Sequence, residues 1–414
     1  MSRWVVVAVV GLVGAGACTQ SGGDLAWSGE MIDSAGVTVV SNPAEGIWGG
    51  ESPWSLEEEM RVGSLDGSPE TQFGQIGARG IDRLSDGRIV VLDAMGQHLK
   101  VFAPDGTYQA TLGGPGSGPG ELGAGNQFVI VGRGDTIYVP DLQNQRVSLY
   151  SGEGSSLGSF PMDFSNGIPF LWDATGSGDV VAQLRPLALP GQAESDGQDR
   201  IVAFGPDGSV QDTLFSFASG GSFNFASDRP EIRFFAPEPA WDVTPEGQVL
   251  FGMSDQYRIS VYEPAGTLTR IISKPFSSPP VEENDQGIIM EFLEEAWGDA
   301  GVPPQAIEQL RGVVEFADTY PAFARVQGGP EGTVWVQRIQ PLSELSDEAL
   351  AAFNFLEDVG SPNWEVFDRE GRFLGTFTMP LRFAPRLFVG DEILGVSRDE
   401  LDVQYLVRMR FIMD

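Results

Sequence analysis

Short apolar runs of about five residues, each closed by a turn that contains glycine, recur along most of the chain, the signature of strands joined by tight hairpins. From Gly80 the order is an apolar strand, a Gly turn, a second apolar run, a polar loop, a third strand ending in an aromatic, and another Gly turn; the same order returns by Tyr150. In five copies an aromatic stands four residues before the later glycine: Phe102 and Gly106, Tyr150 and Gly154, Phe204 and Gly208, Tyr262 and Gly266, Phe367 and Gly371. The earlier turn recurs at Gly87, Gly134, Gly178, Gly247 and Gly332. The two turns lie 19 residues apart in the first and fourth copies, 20 in the second, and 30 and 39 in the third and fifth. The third and fifth copies therefore carry insertions between their second and third strands. Ile89 to Leu92, Ile137 to Val139, Val249 to Phe251 and Val334 to Val336 are unbroken apolar runs, as expected of strands covered on both faces.

A sixth copy begins near Arg386, with its early turn at Gly390-Asp391 and a third strand ending in Phe411, and the sequence stops one strand short. Glu58 to Val62 supplies the missing strand, because an uncovered edge invites aggregation and a strand from the other terminus closes the ring. The expected fold is all-β: a six-bladed β-propeller of four-stranded antiparallel blades over residues 36–414, closed by an N-terminal strand. Val37 to Val40 also reads as a strand, with no partner assignable from sequence.

The segment 280–321 breaks the repeat. Glu291 to Trp297 and Ala306 to Val314 show helical spacing around Gly301-Val302-Pro303-Pro304, which predicts a small helical insertion between blades four and five. Together with the insertions at Arg185 to Asp199 and Ile339 to Pro362 it emerges on one face of the disc, where a rigid scaffold presents loops for binding. A cap that seals the channel is the plain alternative.

Composition narrows the partners. With 58 acidic against 25 basic residues, nucleic acid and electrostatic docking on anionic lipid are excluded, since both need a Lys/Arg excess. Fifty-four glycines and 28 prolines in a chain 41% apolar indicate many turns around a true core. The front end reads as an export signal over residues 1–18: Arg3, then an apolar core from Trp4 to Val13 too short to span a bilayer, then Ala15-Gly16-Ala17. Cys18 follows and is the sole cysteine, so a disulfide within the chain and a Cys-based zinc site are excluded. Its placement resembles the lipobox of bacterial lipoproteins, with Ala15 where leucine is usual. That resemblance implies lipidation at Cys18, a flexible tether over residues 19–35, and an exported protein held at the cell envelope, with the outer membrane favoured by Thr19 and Gln20. The membrane is then an anchor point rather than a partner of the propeller.

Gly116-Ser117-Gly118-Pro119-Gly120-Glu121 lacks the Lys-Ser/Thr and strand-to-helix context of a phosphate loop. It resembles the glycine-rich connector of NHL-type propellers, and Asp141-Leu142-Gln143-Asn144-Gln145-Arg146-Val147 resembles their DxxNxR signature. Taken together, the mature chain is similar to the bacterial six-bladed β-propeller lipoproteins.

His98 is the sole histidine. Counting back eight from the later turn glycine places it level with Arg146, Arg200 and Arg258, so it reads as a repeated polar residue at the start of the third strand rather than a catalytic base. Asp82, Asp173 and Asp242 each stand five residues before the earlier turn glycine, on first strands that line the channel. Three carboxylates at one level could bind a hard cation such as Ca²⁺, which lactonase-like propellers hold there; a merely polar channel wall is the alternative. The preferred function is non-enzymatic: binding or scaffolding of a peptide, glycan or protein, with no cofactor required. The alternative is a Ca²⁺-dependent lactonase-like hydrolase, and fold alone does not choose between them.

Overall fold

The computed structural model describes residues 26–186, 197–224, 231–264, 266–352 and 361–413. They form a six-bladed β-propeller of antiparallel sheets, with three α-helices set on one side. Blade one comprises Ile76–Arg83, Ile89–Asp93, His98–Phe102 and Tyr108–Gly113, from the channel outward. Blade two begins with the short strand Ile130–Val131 and ends with Ser156–Pro161; blade three runs from Ile168–Ala174 to Val210–Ala218. Blade four runs from Pro239–Val243 to Leu268–Ser273, blade five from Phe323–Gly328 to Phe373–Thr378. The later turn glycines sit at φ between 77° and 90°, a conformation that carries a penalty for any residue with a Cβ, which is why their spacing marks the blades. In blades one, two and five the aromatic before the turn is buried in the core, Phe102, Tyr150 and Phe367 being at most 1% exposed, while Phe204 and Tyr262 are half-buried.

Blade six contributes Phe383–Val389, Glu392–Arg398 and Gln404–Met413, and the closing strand Trp54–Val62 completes it, longer at its start than the sequence expectation. Leu406 pairs with Val62 and Phe411 with Leu56 in antiparallel register. Met60, Val62 and Leu406 then pack with Ile76, Ile81, Ile89 and Phe102, so the seam between the last blade and the first is apolar.

The strand Val37–Ser41 finds its place on blade four, parallel to Leu268–Ser273, with Thr38 opposite Arg270 and Val40 opposite Ile272. The tether expected over residues 19–35 is corrected here: Glu30–Ser34 is a strand, folded back on Val37–Ser41 through a turn at Ala35 and Gly36, both at positive φ. Blade four therefore has six strands. The segment after this hairpin runs on to blade five, where Asn42 accepts from Phe373 N and donates to Gly371 O.

The helical insertion is present as α1 (Glu283–Asp299) and α2 (Pro304–Arg311). A capping box between Glu282 and Asp285 starts α1, and Gly301 at φ +76° lets the chain turn out of it. Among the described residues no helix is long and apolar enough to cross a membrane.

Candidate functional site

Two features stand out on the disc: a cap on one side, and a channel open on the other. The cap is assembled from segments far apart in sequence. Ile289 and Leu293 of α1 pack with Tyr320, with Phe235 from the connector between blades three and four, and with Ile339 and Leu342 of the blade-five insertion. Asp285, fully buried, ties the pieces together: its carboxylate accepts from Glu282 N at the helix start and from Ser343 N across the cap. The connector was not anticipated. Its Glu231–Phe234 lies parallel to Val314–Phe316, and strands of four and three residues carry no periodicity to read. The blade-three insertion falls partly at 187–196, outside the described residues.

The channel holds a cavity of about 500 Å³ whose wall includes Arg79, Asp82, Arg83, Asp173, Asp242 and Arg386. Its wall continues into the turns between first and second strands, at Ser85, Thr175, Thr244 and Val389, and includes no residue of the cap. Those turns lie at the strand ends remote from the insertions, so the cavity opens on the face opposite the cap.

All three sequence-predicted aspartates line this cavity, and each is tied to the next first strand around the ring. Asp82 accepts from Val131 N at 2.6 Å, Asp173 from Val243 N at 3.4 Å, and Asp242 from Gly328 N at 2.9 Å. Gln327 stands at the equivalent position of blade five and reaches Arg386 O of blade six at 3.5 Å. The aspartates thus clasp neighbouring blades. Between Asp173 and Asp242 lies Arg79, whose Nη1 is 3.3 Å from one carboxylate and 3.7 Å from the other. Its Nη2 also reaches Trp241 O at 3.5 Å. A guanidinium from blade one therefore occupies the position between carboxylates of blades three and four. Among the described residues no three His, Cys, Asp or Glu side chains gather as a metal-ligand set.

Neither Arg79 nor Arg386 was singled out in sequence, and both owe their aim to bulges. In blade one the register jumps from Ile76 opposite Asp93 to Ile81 opposite Val91, so Gly77 to Gly80 loop inward and carry Arg79 with them. In blade six the shift between Pro385 and Leu387 does the same for Arg386. A bulge redirects a side chain without ending the strand. Burial pushes the Asp82 carboxyl up to about 7, against the two backbone amides that favour its charged form. Burial also raises Asp173, which Arg79 partly restrains, and it raises Asp242, to which Asp173 adds.

His98 starts its strand opposite Asp93, as Arg146 starts its own opposite Asp141. His98 Nδ1 lies 2.8 Å from Gly96 O, a local contact in the loop. Arg146 shows what the position does: it donates to the carbonyls of Ser117, Gly118 and Glu121, while buried Asp141 holds Gly123 N and Asn144. The DxxNxR pattern is thus a clamp on the glycine-rich connector.

Residues 71–173 match a protein-family model described as a 6-bladed beta-propeller. Among solved structures the chain is similar to a Bacteroides fragilis protein assigned to the exported class, at 12% identity and a TM-score of 0.51, covering 91% of this chain and 100% of that one. It is also similar to a Bacteroides vulgatus member of the duf4221 family, at 12% identity and TM-score 0.49, covering 87% and 98%. Virginiamycin B lyase of Staphylococcus aureus gives 10% identity and TM-score 0.43, covering 87% and 100%. The first of these likenesses supports the propeller fold and nothing further. No curated protein sequence matches the chain.

Proposed function

We propose that this chain is an exported binding protein, held at the cell envelope by a lipid on Cys18, which presents its capped face to a peptide, glycan or protein partner. The cap carries the reading. Segments from three places in the sequence leave the ring on one side and fuse around one apolar core, which fixes their outer surface as a single rigid platform. Glu30 lies at the cap-bearing end of blade four, because Val37–Ser41 runs parallel to the strand that leads into the helices. Eleven residues, 19–29, separate it from Cys18. Fully extended that span reaches about 40 Å, and it joins the propeller on the cap-bearing side.

The test is capture from envelope extract with the parent, a variant trimmed of 280–321, and the fold-preserving surface pair Glu295→Arg and Glu308→Arg. A partner set unchanged by all of these counts against the reading. Cys18 lies outside the described residues; incorporation of labelled fatty acid that persists in Cys18→Ala would remove the lipid anchor from it.

The second reading, Ca²⁺-dependent lactonase-like hydrolysis, rests on Asp82, Asp173 and Asp242 sharing one cavity. Arg79 weighs against it, since the position between Asp173 and Asp242 already holds a cation. Calorimetric titration with Ca²⁺ decides: a parent protein that gives no binding heat ends the reading.

A further inference from the structure

We propose that the open channel, on the face away from the cap, is a second binding site, and that it takes a small neutral polyhydroxylated ligand of sugar size. This goes beyond the capped face and does not depend on it, because no cap residue lines the cavity.

The charge pattern of the wall selects the ligand. In a chain with a net charge of −33, the cavity gathers three guanidinium groups, Arg79, Arg83 and Arg386, against three carboxylates, Asp82, Asp173 and Asp242. The acid excess of the surface is absent here. Five of these six charges are engaged with one another, with backbone amides, or with a neighbour just outside the wall. Arg79 lies between Asp173 and Asp242, Arg83 Nη1 is 3.1 Å from Glu392, and Asp82 accepts two backbone amides. An anionic ligand would draw a guanidinium from its carboxylate, and a cationic one would draw the carboxylate from its guanidinium. Either leaves a partly buried charge unpaired, which costs more than one new pair returns. A hydroxyl does neither. It donates to a spare carboxylate lone pair while accepting from a spare guanidinium N–H, so it bridges an existing pair without opening it.

The groups are also accessible. The side chains of Arg79, Asp173 and Arg83 keep 27%, 24% and 34% of their surface exposed. Ser85, Thr175 and Thr244 add hydroxyls at the mouth, and Gln327 adds a buried carboxamide whose Nε2 faces Arg386 O. A volume of about 500 Å³ lies within the range that holds small-molecule ligands. The mouth faces away from the side on which the chain enters the propeller at Glu30.

The experiment uses the mature chain and a matched series on one skeleton: glucose, glucuronate and glucosamine, with galactose, maltose and myo-inositol as further neutral polyols. Saturation-transfer NMR detects binding and calorimetry ranks it. At least one neutral polyol is expected to bind, with the charged analogues weaker by about tenfold or more. Asp173→Asn and Arg83→Met should each weaken the neutral ligand by about tenfold, and a thermal melt shows which of them keeps the fold. No binding by any neutral polyol, equal or tighter binding of a charged analogue, or binding indifferent to both substitutions overturns the proposal. Each result stands whether or not the capped face captures a partner.

Discussion

Closure of the ring by Trp54–Val62 can be weighed one side chain at a time. Met60 and Val62 are 6% and 7% exposed and point into the seam between blades six and one, whereas Glu57 on the same strand faces solvent. Truncating a buried methionine to alanine costs about 2–5 kcal/mol through lost burial and the cavity left behind. Val62→Ala removes two methyl groups at about 0.8 kcal/mol each. The pair together should cost about 4–6 kcal/mol, a large share of the roughly 5–15 kcal/mol that holds a folded protein together. Glu57→Ala should stay within about 0.5 kcal/mol of the parent. Urea denaturation followed by tryptophan fluorescence reads these differences as shifts in midpoint. Since Leu406 is fully buried and pairs with Val62, a cycle of Val62→Ala and Leu406→Ala should show a coupling of about 0.5–3 kcal/mol. Parity of the Met60/Val62 variant with Glu57→Ala, or no coupling across the seam, would mean that the ring is not held shut by this strand.

Three further outcomes follow from single sites. Asp199 is fully buried and accepts from Arg185, Gln183 and Ser219, so Arg185→Met should cost about 3–5 kcal/mol by leaving its charge uncompensated; a loss below about 1 kcal/mol in the same urea assay contradicts this. Burial raises Asp82 from 3.8 to about 7, so the folded state binds more protons than the unfolded chain across that window and this site's contribution to stability falls as pH rises from about 4 to 7. The melting temperature of the parent relative to Asp82→Asn should therefore fall between pH 5 and pH 8, and a relative rise refutes the assignment. Arg146→Met removes the clamp on three carbonyls of the glycine-rich connector and should cost about 2 kcal/mol. Limited proteolysis should then cut within 114–121 faster than in the parent, and an unchanged rate there argues against the clamp.

What the sequence disclosed and what it withheld divide along one line, between features set locally and features set by distant segments. A glycine at positive φ, an aromatic four residues earlier, an apolar run and a helix of seventeen residues are each written in a short window, so blade number, strand order and α1 were legible. The closing strand was legible by elimination, because five full copies and a partial sixth leave one vacancy. The hairpin at Glu30–Ser41 was not. Its parallel pairing with Leu268–Ser273 joins residues more than two hundred positions apart, and an exposed five-residue strand leaves no period to mark its partner. The same holds for Val314–Phe316 beside Glu231–Phe234.

The site follows the same division more sharply. Counting from the turn glycine found Asp82, Asp173 and Asp242 because a repeated position recurs at a fixed offset. A position that recurs for that reason is, first of all, one the architecture needs, and these carboxylates answer the backbone amides of Val131, Val243 and Gly328 on neighbouring blades. The first strands of blades one, three, five and six all slip register, and at two of these slips the chain carries an arginine. Arg79 in blade one and Arg386 in blade six thereby place two guanidinium groups in the channel wall with the carboxylates, where the slips of blades three and five have Phe170 and Ala324. Buried like charges raise one another's pKa, and Arg79 relieves that tension between Asp173 and Asp242. Because this counter-cation is part of the chain, Asp173 and Asp242 meet a positive partner before any ligand arrives, which leaves their spare lone pairs to hydrogen bonding.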